Sequence, residues 1–248
     1  MKTPRMRLDQ LLFERGLAGS REKAKALILA GQVRVDGQRS DKAGKEVDVD
    51  AAIEVAAPPP YVSRGGFKLA KALDHWHIDP TGWPCLDVGS STGGFTDCLL
   101  QRGAASVTCV DVGTGQLHAK LRADARVTSF EKMNARDLSS ARLPHAAYGV
   151  VVMDLSFISL THVLPAAWSR VAPGGRLVAL IKPQFEATKA EADKGRGVIR
   201  DPAIHARVVA ALSEAGRSLP GASLLGVIPS PIEGGEGNKE FLMAIQRA

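Results

Sequence analysis

The chain has 248 residues, of which 45% are hydrophobic and only 5% aromatic, so its core must consist mainly of aliphatic side chains. No apolar run approaches the roughly 20 residues that span a bilayer. The first residues lack the apolar segment of a signal peptide, so we expect a soluble cytoplasmic protein. The three cysteines form no CxxC pair, and we expect buried, reduced thiols at Cys85, Cys98 and Cys109.

The net charge of +6 is confined to the first 45 residues, which carry eleven lysines and arginines but only five acids. A basic end on a neutral body indicates a module that binds a polyanion and is attached to a second domain. The alternative is an ordinary solvated surface that serves solubility alone.

The first 56 residues predict a small domain of helices and short strands. "RLDQLLFERGL" has leucines at helical spacing up to Gly16, and Ser20 is placed to cap a second helix that ends at Gly31. "QVRVDGQR" predicts a hairpin that turns at Asp36-Gly37, and "EVDVDAAIEV" alternates again. Successive prolines follow, so we predict a stiff linker over 57–62 and a second domain over 63–248.

The second domain predicts an α/β fold, because apolar strand-like runs alternate with helix-length segments. The first five strands are far enough apart for parallel crossovers. The last two are joined by the short, turn-rich "PSPIEGGEGNK", so we expect the seventh strand to run antiparallel. The predicted strands are 85–89, 106–112, 126–130, 148–155, 176–182, 222–228 and 240–246.

A glycine-rich loop follows the first strand of this domain, in "LDVGSSTGGFTDCLL". The dinucleotide pattern GxGxxG is not met, because Ser91 stands where the middle glycine belongs. Asp87 suits a cationic ligand such as S-adenosylmethionine better than a pyrophosphate. Asp111 ends the second strand, where it would accept hydrogen bonds from ribose hydroxyls. A purely structural strand–turn–helix corner is the alternative.

Four ionisable residues from distant segments are predicted to meet at the carboxyl edge of the sheet: Lys68, Asp154, Lys182 and Glu240. Ligands of open α/β sheets bind at this edge. Taken singly, each residue could be an ordinary solvated charge at a strand end. Together they would suit the transfer of a methyl group to a hydroxyl, with Lys182 either removing the proton or only positioning the hydroxyl.

The segment after Lys182, "PQFEATKAEADKGRGVIRD", is predicted to be a polar loop whose cations hold substrate phosphates; a solvated surface loop is the alternative. The spacing of His75 and His77 places them on different faces of a helix, so we do not expect them to bind a metal together. "GGEGNKE" fits a turn before a strand better than a metal loop. We therefore expect no bound metal.

The motifs "SRGGFKL", "DVGSSTGGFTD", "DVGTGQL", "NARDL", "DLSFISL", "KPQFE" and "GNKEF" occur in the order found in the TlyA family. The N-terminal part resembles the alpha-L RNA-binding domain, and the rest resembles FtsJ-like methyltransferases. The resemblance implies a Rossmann-like, seven-stranded class I methyltransferase sheet. It also implies S-adenosylmethionine-dependent 2'-O-methylation of cytidine in ribosomal RNA, with a catalytic tetrad of Lys68, Asp154, Lys182 and Glu240.

The predicted binding residues fall into two groups. Those expected to hold the cofactor are Asp87, Gly89, Ser90, Ser91, Thr92, Gly93, Gly94, Phe95, Asp111, Asn134 and Asp154. Those expected to contact RNA are Arg5, Arg7, Ser20, Arg21, Lys23, Lys25, Arg34, Lys42, Arg64, Lys189, Lys194 and Arg196.

Two departures from the family pattern bear on detail. Thr114 stands in "DVGTGQL" where the family often has an aromatic residue, which affects the expected contact to the adenosine. The chain stops at Ala248, soon after the last strand, and short-tailed members resemble enzymes restricted to large-subunit RNA. Two other functions stay open: a haemolytic, pore-forming protein, and a non-catalytic RNA-binding assembly factor. The sequence leaves the oligomeric state open.

Overall fold

The computed structural model describes residues 4–56 and 59–248, and the chain divides into two compact units, Met1–Pro60 and Tyr61–Ala248. Residues 57 and 58 of the predicted linker lie outside the described residues.

The N-terminal unit packs two short helices against small sheets. The elements are β1 (Arg5–Arg7), α1 (Leu8–Glu14), α2 (Arg21–Leu29), β2 (Val33–Val35), β3 (Gln38–Arg39), β4 (Glu46–Asp48) and β5 (Ile53–Val55). Strand β1 pairs antiparallel with β4, and β3, β2 and β5 form a three-stranded antiparallel sheet. Leu8, Leu12 and Ile28 are fully buried between these elements and form the core.

Local sequence signals explain most of this unit. Ser20 caps α2 as predicted, because its Oγ accepts a hydrogen bond from the Lys23 N–H at 3.2 Å. The hairpin turns at Asp36 and Gly37, both at positive φ. The alternating run "EVDVDAAIEV" forms two strands, β4 and β5, in different sheets, because a turn at 49–50 interrupts it.

The elements of the second unit are α3 (Gly65–His75), β6 (Pro84–Val88), α4 (Gly94–Gln101), β7 (Ser106–Val110), α5 (Ala119–Arg122), β8 (Val127–Phe130), β9 (Tyr148–Met153), α6 (Leu164–Trp168), β10 (Val171–Ile181), α7 (Pro183–Glu186), α8 (Lys189–Lys194), α9 (Pro202–Arg217), β11 (Ala222–Pro229) and β12 (Phe241–Arg247). The strands form a seven-stranded sheet in the order β11-β12-β10-β9-β6-β7-β8. Neighbours among β6 to β10 are parallel, and β12 is antiparallel to both β10 and β11, as predicted.

Helices cover both faces of the sheet, which explains why its central strands are apolar on both sides. Every residue of β9 is buried. One apolar layer includes Leu164 of α6 and Val208 of α9, and the other includes Leu69 of α3 and Leu99 of α4. The three cysteines are buried and unbridged in these layers, and burial raises the pKa of each thiol.

The segment after Lys182 differs from the predicted loop, because most of it is helical. Pro183 occupies the first position of α7, where its missing N–H costs no hydrogen bond. Thr188 and Glu191 then form a capping box that starts α8. The basic side chains of Lys189 and Lys194 therefore project from a short helix.

Candidate active site

The loop between β6 and α4 has a backbone that only a few residue types can adopt. Gly89 has φ +82°, and a Cβ there would lie 2.5 Å from the carbonyl oxygen of Asp154. Gly93, at φ +94°, precedes α4. Ser91, at the position of the absent middle glycine, is also left-handed at φ 46°, and its N–H donates to Asp111 Oδ2 at 2.8 Å. The loop therefore passes close to two neighbouring strand ends.

Two adjoining cavities open beside this loop and share Gly89 and Ser91. The first, which we call the loop cavity, has about 430 Å³, and Lys68 and Asp154 lie on its wall. The second, the strand cavity, has about 260 Å³ and lies beside Asp111 at the end of β7. Because the two cavities share wall residues, they suit a ligand with a polar end in one cavity and a ring system in the other.

Most of the predicted cofactor residues line these cavities. The loop cavity is lined by Gly89, Ser90, Ser91, Thr92, Gly94, Phe95 and Asp154. Asp111 lines the strand cavity, where its carboxylate also accepts hydrogen bonds from two backbone N–H groups.

Three predicted cofactor residues lie behind the cavity walls instead. Gly93 contributes backbone conformation at the start of α4. The side chain of Asn134 accepts a hydrogen bond from the Arg136 N–H at 3.0 Å and caps a short 3₁₀ helix. Asp87 is fully buried, where Thr96 Oγ1 donates to its Oδ2 at 2.6 Å and its Oδ1 has no hydrogen-bond partner among the described residues. Burial raises the pKa of Asp87 to about 7.

The four residues of the predicted tetrad form two ion pairs at the carboxyl edge of the sheet. Lys68 Nζ lies 2.5 Å from Glu240 Oε2, which joins α3 to the start of β12. Lys182 Nζ lies 2.6 Å from Asp154 Oδ1, which joins the ends of β10 and β9. The antiparallel direction of β12 is what brings Glu240 to this edge.

A third cavity of about 440 Å³, which we call the target cavity, lies beside Lys182 and Glu240. Its wall includes Ser156, Phe157 and Phe185, which are not among the predicted site residues. Ser156 Oγ accepts a hydrogen bond from Lys182 Nζ at 3.0 Å. Phe157 is 92% exposed at φ 63°, with its ring centroid 5.0 Å from that of Phe185. The sequence did offer one signal for them. In a chain poor in aromatics, Phe157 follows Asp154 by three residues and Phe185 follows Lys182 by three.

The basic residues of the N-terminal unit differ in how free they are. Arg7 donates two hydrogen bonds of 3.1 Å to buried Asp9, and Arg21 donates another at 3.4 Å. The hydrogen bonds from Arg7 hold the pKa of Asp9 below its ordinary value, so both arginines also serve the fold. Within residues 4–56, the exposed cations that form no ion pair include Lys23, Lys25 and Lys42.

The other predicted RNA contacts are distributed over both units. Arg5 donates a hydrogen bond to the Glu46 carbonyl and Arg34 donates one to the Gly37 carbonyl. Arg64 precedes α3 and lines the loop cavity. Lys189, Lys194 and Arg196 are exposed, and Arg196 adopts φ 52°.

Comparison with known proteins agrees with this architecture. The FtsJ-like methyltransferase family matches residues 61–247, and the S4 domain matches residues 6–53. The 16S/23S rRNA (cytidine-2'-O)-methyltransferase TlyA of Mycobacterium tuberculosis is 45% identical over 244 residues, which span 96% of this chain and 89% of that protein. The chain belongs to the TlyA family.

Other members of the TlyA family carry a different name. Hemolysin A of Brachyspira hyodysenteriae is 41% identical over 96% of this chain and 98% of its own length. The solved structure of a hemolysin-named protein from Streptococcus thermophilus matches with a TM-score of 0.73 at 40% identity, over 100% of this chain and 90% of that one. In residues 4–56 and 59–248, no helix has the length and apolar character needed to cross a membrane.

Membership of a methyltransferase family with this fold implies S-adenosylmethionine as the methyl donor. The residues present fit that molecule in two respects. Backbone can approach it closely at Gly89, where a side chain would collide with Asp154. The strand cavity offers the Asp111 carboxylate beside the apolar Val112 and Met133, as a nucleoside requires.

Proposed function

We propose that the protein transfers a methyl group from S-adenosylmethionine to the 2'-hydroxyl of a cytidine in ribosomal RNA. The observation that carries this proposal is the position of the Lys182–Asp154 pair, because Asp154 lines the loop cavity and Lys182 lines the target cavity. A hydroxyl in the target cavity would thus face a methyl donor across the pair. The name of the Mycobacterium tuberculosis relative supports ribosomal RNA and cytidine as the substrate.

The cofactor, when bound, supplies an electrophilic methyl carbon on a sulfonium sulfur. Residues lining the loop cavity would hold its amino-acid end, and Asp111 would accept hydrogen bonds from its ribose hydroxyls. Phe95 and Gly94 would exclude water from the side of α4. This arrangement would fix the methyl carbon in line with the attacking hydroxyl, and such positioning supplies a large part of the acceleration.

In the proposed step, the Lys182 ammonium would first release a proton to solvent, and the resulting amine would take the proton of the 2'-hydroxyl while the oxygen attacks the methyl carbon. The O–H bond would break and an O–CH₃ bond would form, and the cofactor, when bound, would supply the methyl group and the sulfur leaving group that keeps the C–S electron pair. Asp154 and Ser156 would orient the Lys182 amine, and Asp154 would stabilise the ammonium that results. The buried Lys68–Glu240 pair would hold the position of the substrate ribose.

RNA would be held chiefly through its phosphates. The S4 match and the surplus of cations in residues 1–45 support binding by the N-terminal domain. Lys189, Lys194 and Arg196 would add contacts on the side of the target cavity, because Gly197 lies on its wall.

The test is to incubate the pure protein with labelled S-adenosylmethionine and undermodified ribosomal subunits, and to map the label by mass spectrometry. We expect one labelled 2'-O-methylcytidine, and we propose that the large subunit is the preferred substrate. Separate reactions with each subunit distinguish large-subunit, small-subunit and dual action. Binding of the cofactor without any transfer to a 2'-hydroxyl would instead indicate a non-catalytic RNA-binding factor.

A further inference from the structure

The "GGEGNKE" segment is a tight loop that leads directly into the active site. It contains a short 3₁₀ helix, Gly235–Gly237, in which Glu236 has φ 57°. The Gly234 N–H donates to the Asn238 carbonyl at 2.8 Å and closes the loop. Glu240 of the tetrad follows two residues later. The position of Glu240 therefore depends on how this loop is fixed.

The side chain of Asn238 fixes the loop to a second segment. It is 4% exposed, and its Oδ1 accepts a hydrogen bond from the Ile199 N–H at 3.1 Å. Its Nδ2 donates to the Gly197 carbonyl at 3.0 Å and to the Gly235 carbonyl at 3.3 Å. One buried amide thus satisfies backbone groups in two chain segments that are distant in sequence.

Both segments belong to the same side of the target cavity. Gly197, Gly235, Glu236, Asn238 and Glu240 line it on this side. The first segment also follows α8 and carries Arg196, one of the proposed phosphate contacts. The Asn238 amide therefore lies between the proposed RNA contacts and the catalytic rim.

We infer that Asn238 is a positioning residue for methyl transfer. It holds the 195–199 turn and the 233–238 loop together, so that Glu240 stays against Lys68 and the phosphate contacts stay at a fixed distance from Lys182. Backbone in the left-handed region at Glu236 persists only where its surroundings hold it, and Asn238 supplies that restraint. This inference rests on the proposed function.

The test compares Asn238→Asp and Asn238→Ala with the wild type. The aspartate keeps an acceptor for the Ile199 N–H but sets a carboxylate oxygen against two carbonyl oxygens. The alanine removes all three hydrogen bonds without adding a charge. If the aspartate variant does not fold, the alanine variant provides the test. The readouts are the single-turnover rate at saturating RNA and cofactor, the KM for ribosomal subunits, and the cofactor Kd.

We expect the single-turnover rate to fall about tenfold or more, because small misplacements near a reacting centre are costly. The KM for subunits should also rise. The cofactor Kd should stay unchanged, because Asn238 lines neither the loop cavity nor the strand cavity.

The matched control is Trp168→Phe. It removes one side-chain-to-backbone hydrogen bond, from Trp168 Nε1 to the Pro220 carbonyl at 2.9 Å, and makes a buried core side chain smaller, near the opposite end of β10. We expect a lower melting temperature with a wild-type rate. The inference is overturned if the Asn238 variants behave like this control, losing thermal stability while keeping their rate and KM. If the wild type itself fails to methylate ribosomal RNA, the proposed function is what fails.

Discussion

The two lysine–carboxylate pairs at the edge of the sheet share their chemistry but differ in their surroundings. In the Lys68–Glu240 pair the carboxylate side chain is 2% exposed, whereas in the Lys182–Asp154 pair it is 23% exposed. The first pair bridges a helix and an antiparallel strand, and the second joins the ends of two parallel strands. A buried pair is costly to break and is held rigidly. We infer that the first pair positions the substrate and that the second handles the proton.

The largest effect should come from Lys182→Ala. We expect methyl transfer to fall about 1,000-fold, within the range of general acid–base catalysis. The free energy of unfolding should fall less than in Glu240→Ala, because the Asp154 side chain that loses its partner is 23% exposed, whereas that of Glu240 is 2% exposed. Single-turnover kinetics and urea unfolding measure the two quantities. If the loss in the free energy of unfolding equals the loss of rate expressed as a free energy, the two pairs do not differ in the way that we infer.

In Glu240→Ala, by contrast, we expect a large loss of stability. Removing one partner of a buried pair leaves an unpaired charge, so we expect a loss of about 3 kcal/mol in the free energy of unfolding. The double variant Lys68→Met with Glu240→Met should regain most of that loss while activity stays low. If the double variant is as unstable as Glu240→Ala, the pair is not the source of the effect.

The buried carboxyl of Asp87 should make stability depend on pH. Its folded-state pKa of about 7 lies above its ordinary value of 3.8, so the folded chain binds the proton more tightly than the unfolded chain. The contribution of Asp87 to the free energy of unfolding is therefore fully present below about pH 4, and it is lost as the pH rises through 7. We expect Asp87→Asn to remove a pH-dependent difference of a few kcal/mol between pH 4 and pH 8. Urea unfolding of both proteins at several pH values measures this difference, and parallel profiles would contradict it.

The smallest effect should come from the N-terminal unit. Replacing Arg7 or Arg21 would remove hydrogen-bond partners of the buried Asp9 and so disturb the fold. Among the residues that the structure describes, Lys23, Lys25 and Lys42 form no ion pair, so replacing them tests RNA binding alone. Changing these three to alanine should weaken RNA binding and lower the slope of log affinity against log salt by roughly 2. Cofactor affinity should not change. Filter binding over a salt series checks the first expectation, and an equal loss of cofactor affinity would refute the division of labour between the domains.

Much of the fold is predictable because its signals are local. The apolar runs define seven strands, and the short connection before Phe241 favours the antiparallel direction that brings Glu240 to the rim. The helix α8 was also predictable, since Thr188 and Glu191 have the spacing of a capping box. The polar composition of the segment favoured a loop, although the capping-box spacing indicated a helix. The turn at 49–50 within "EVDVDAAIEV" contains neither glycine nor proline, so the alternating pattern does not indicate it.

The site is predictable only where chain topology determines it. Sheet order brings the tetrad to one rim, but it cannot say which lysine meets which carboxylate; side-chain packing decides that. Counting charges assigned Arg7 and Arg21 to RNA without revealing buried Asp9 between them. Phe157 was missed because its exposure follows from a left-handed backbone that its sequence does not indicate.

The most direct test of the central claim is the single-turnover rate of Lys182→Arg over a range of pH. Arginine keeps the positive charge and its attraction to Asp154, but its guanidinium does not give up its proton in proteins. If Lys182 removes the ribose proton, Lys182→Arg will be as slow as Lys182→Ala at every pH. A rate within about tenfold of the wild type would show that Lys182 acts only as a cation that positions the hydroxyl.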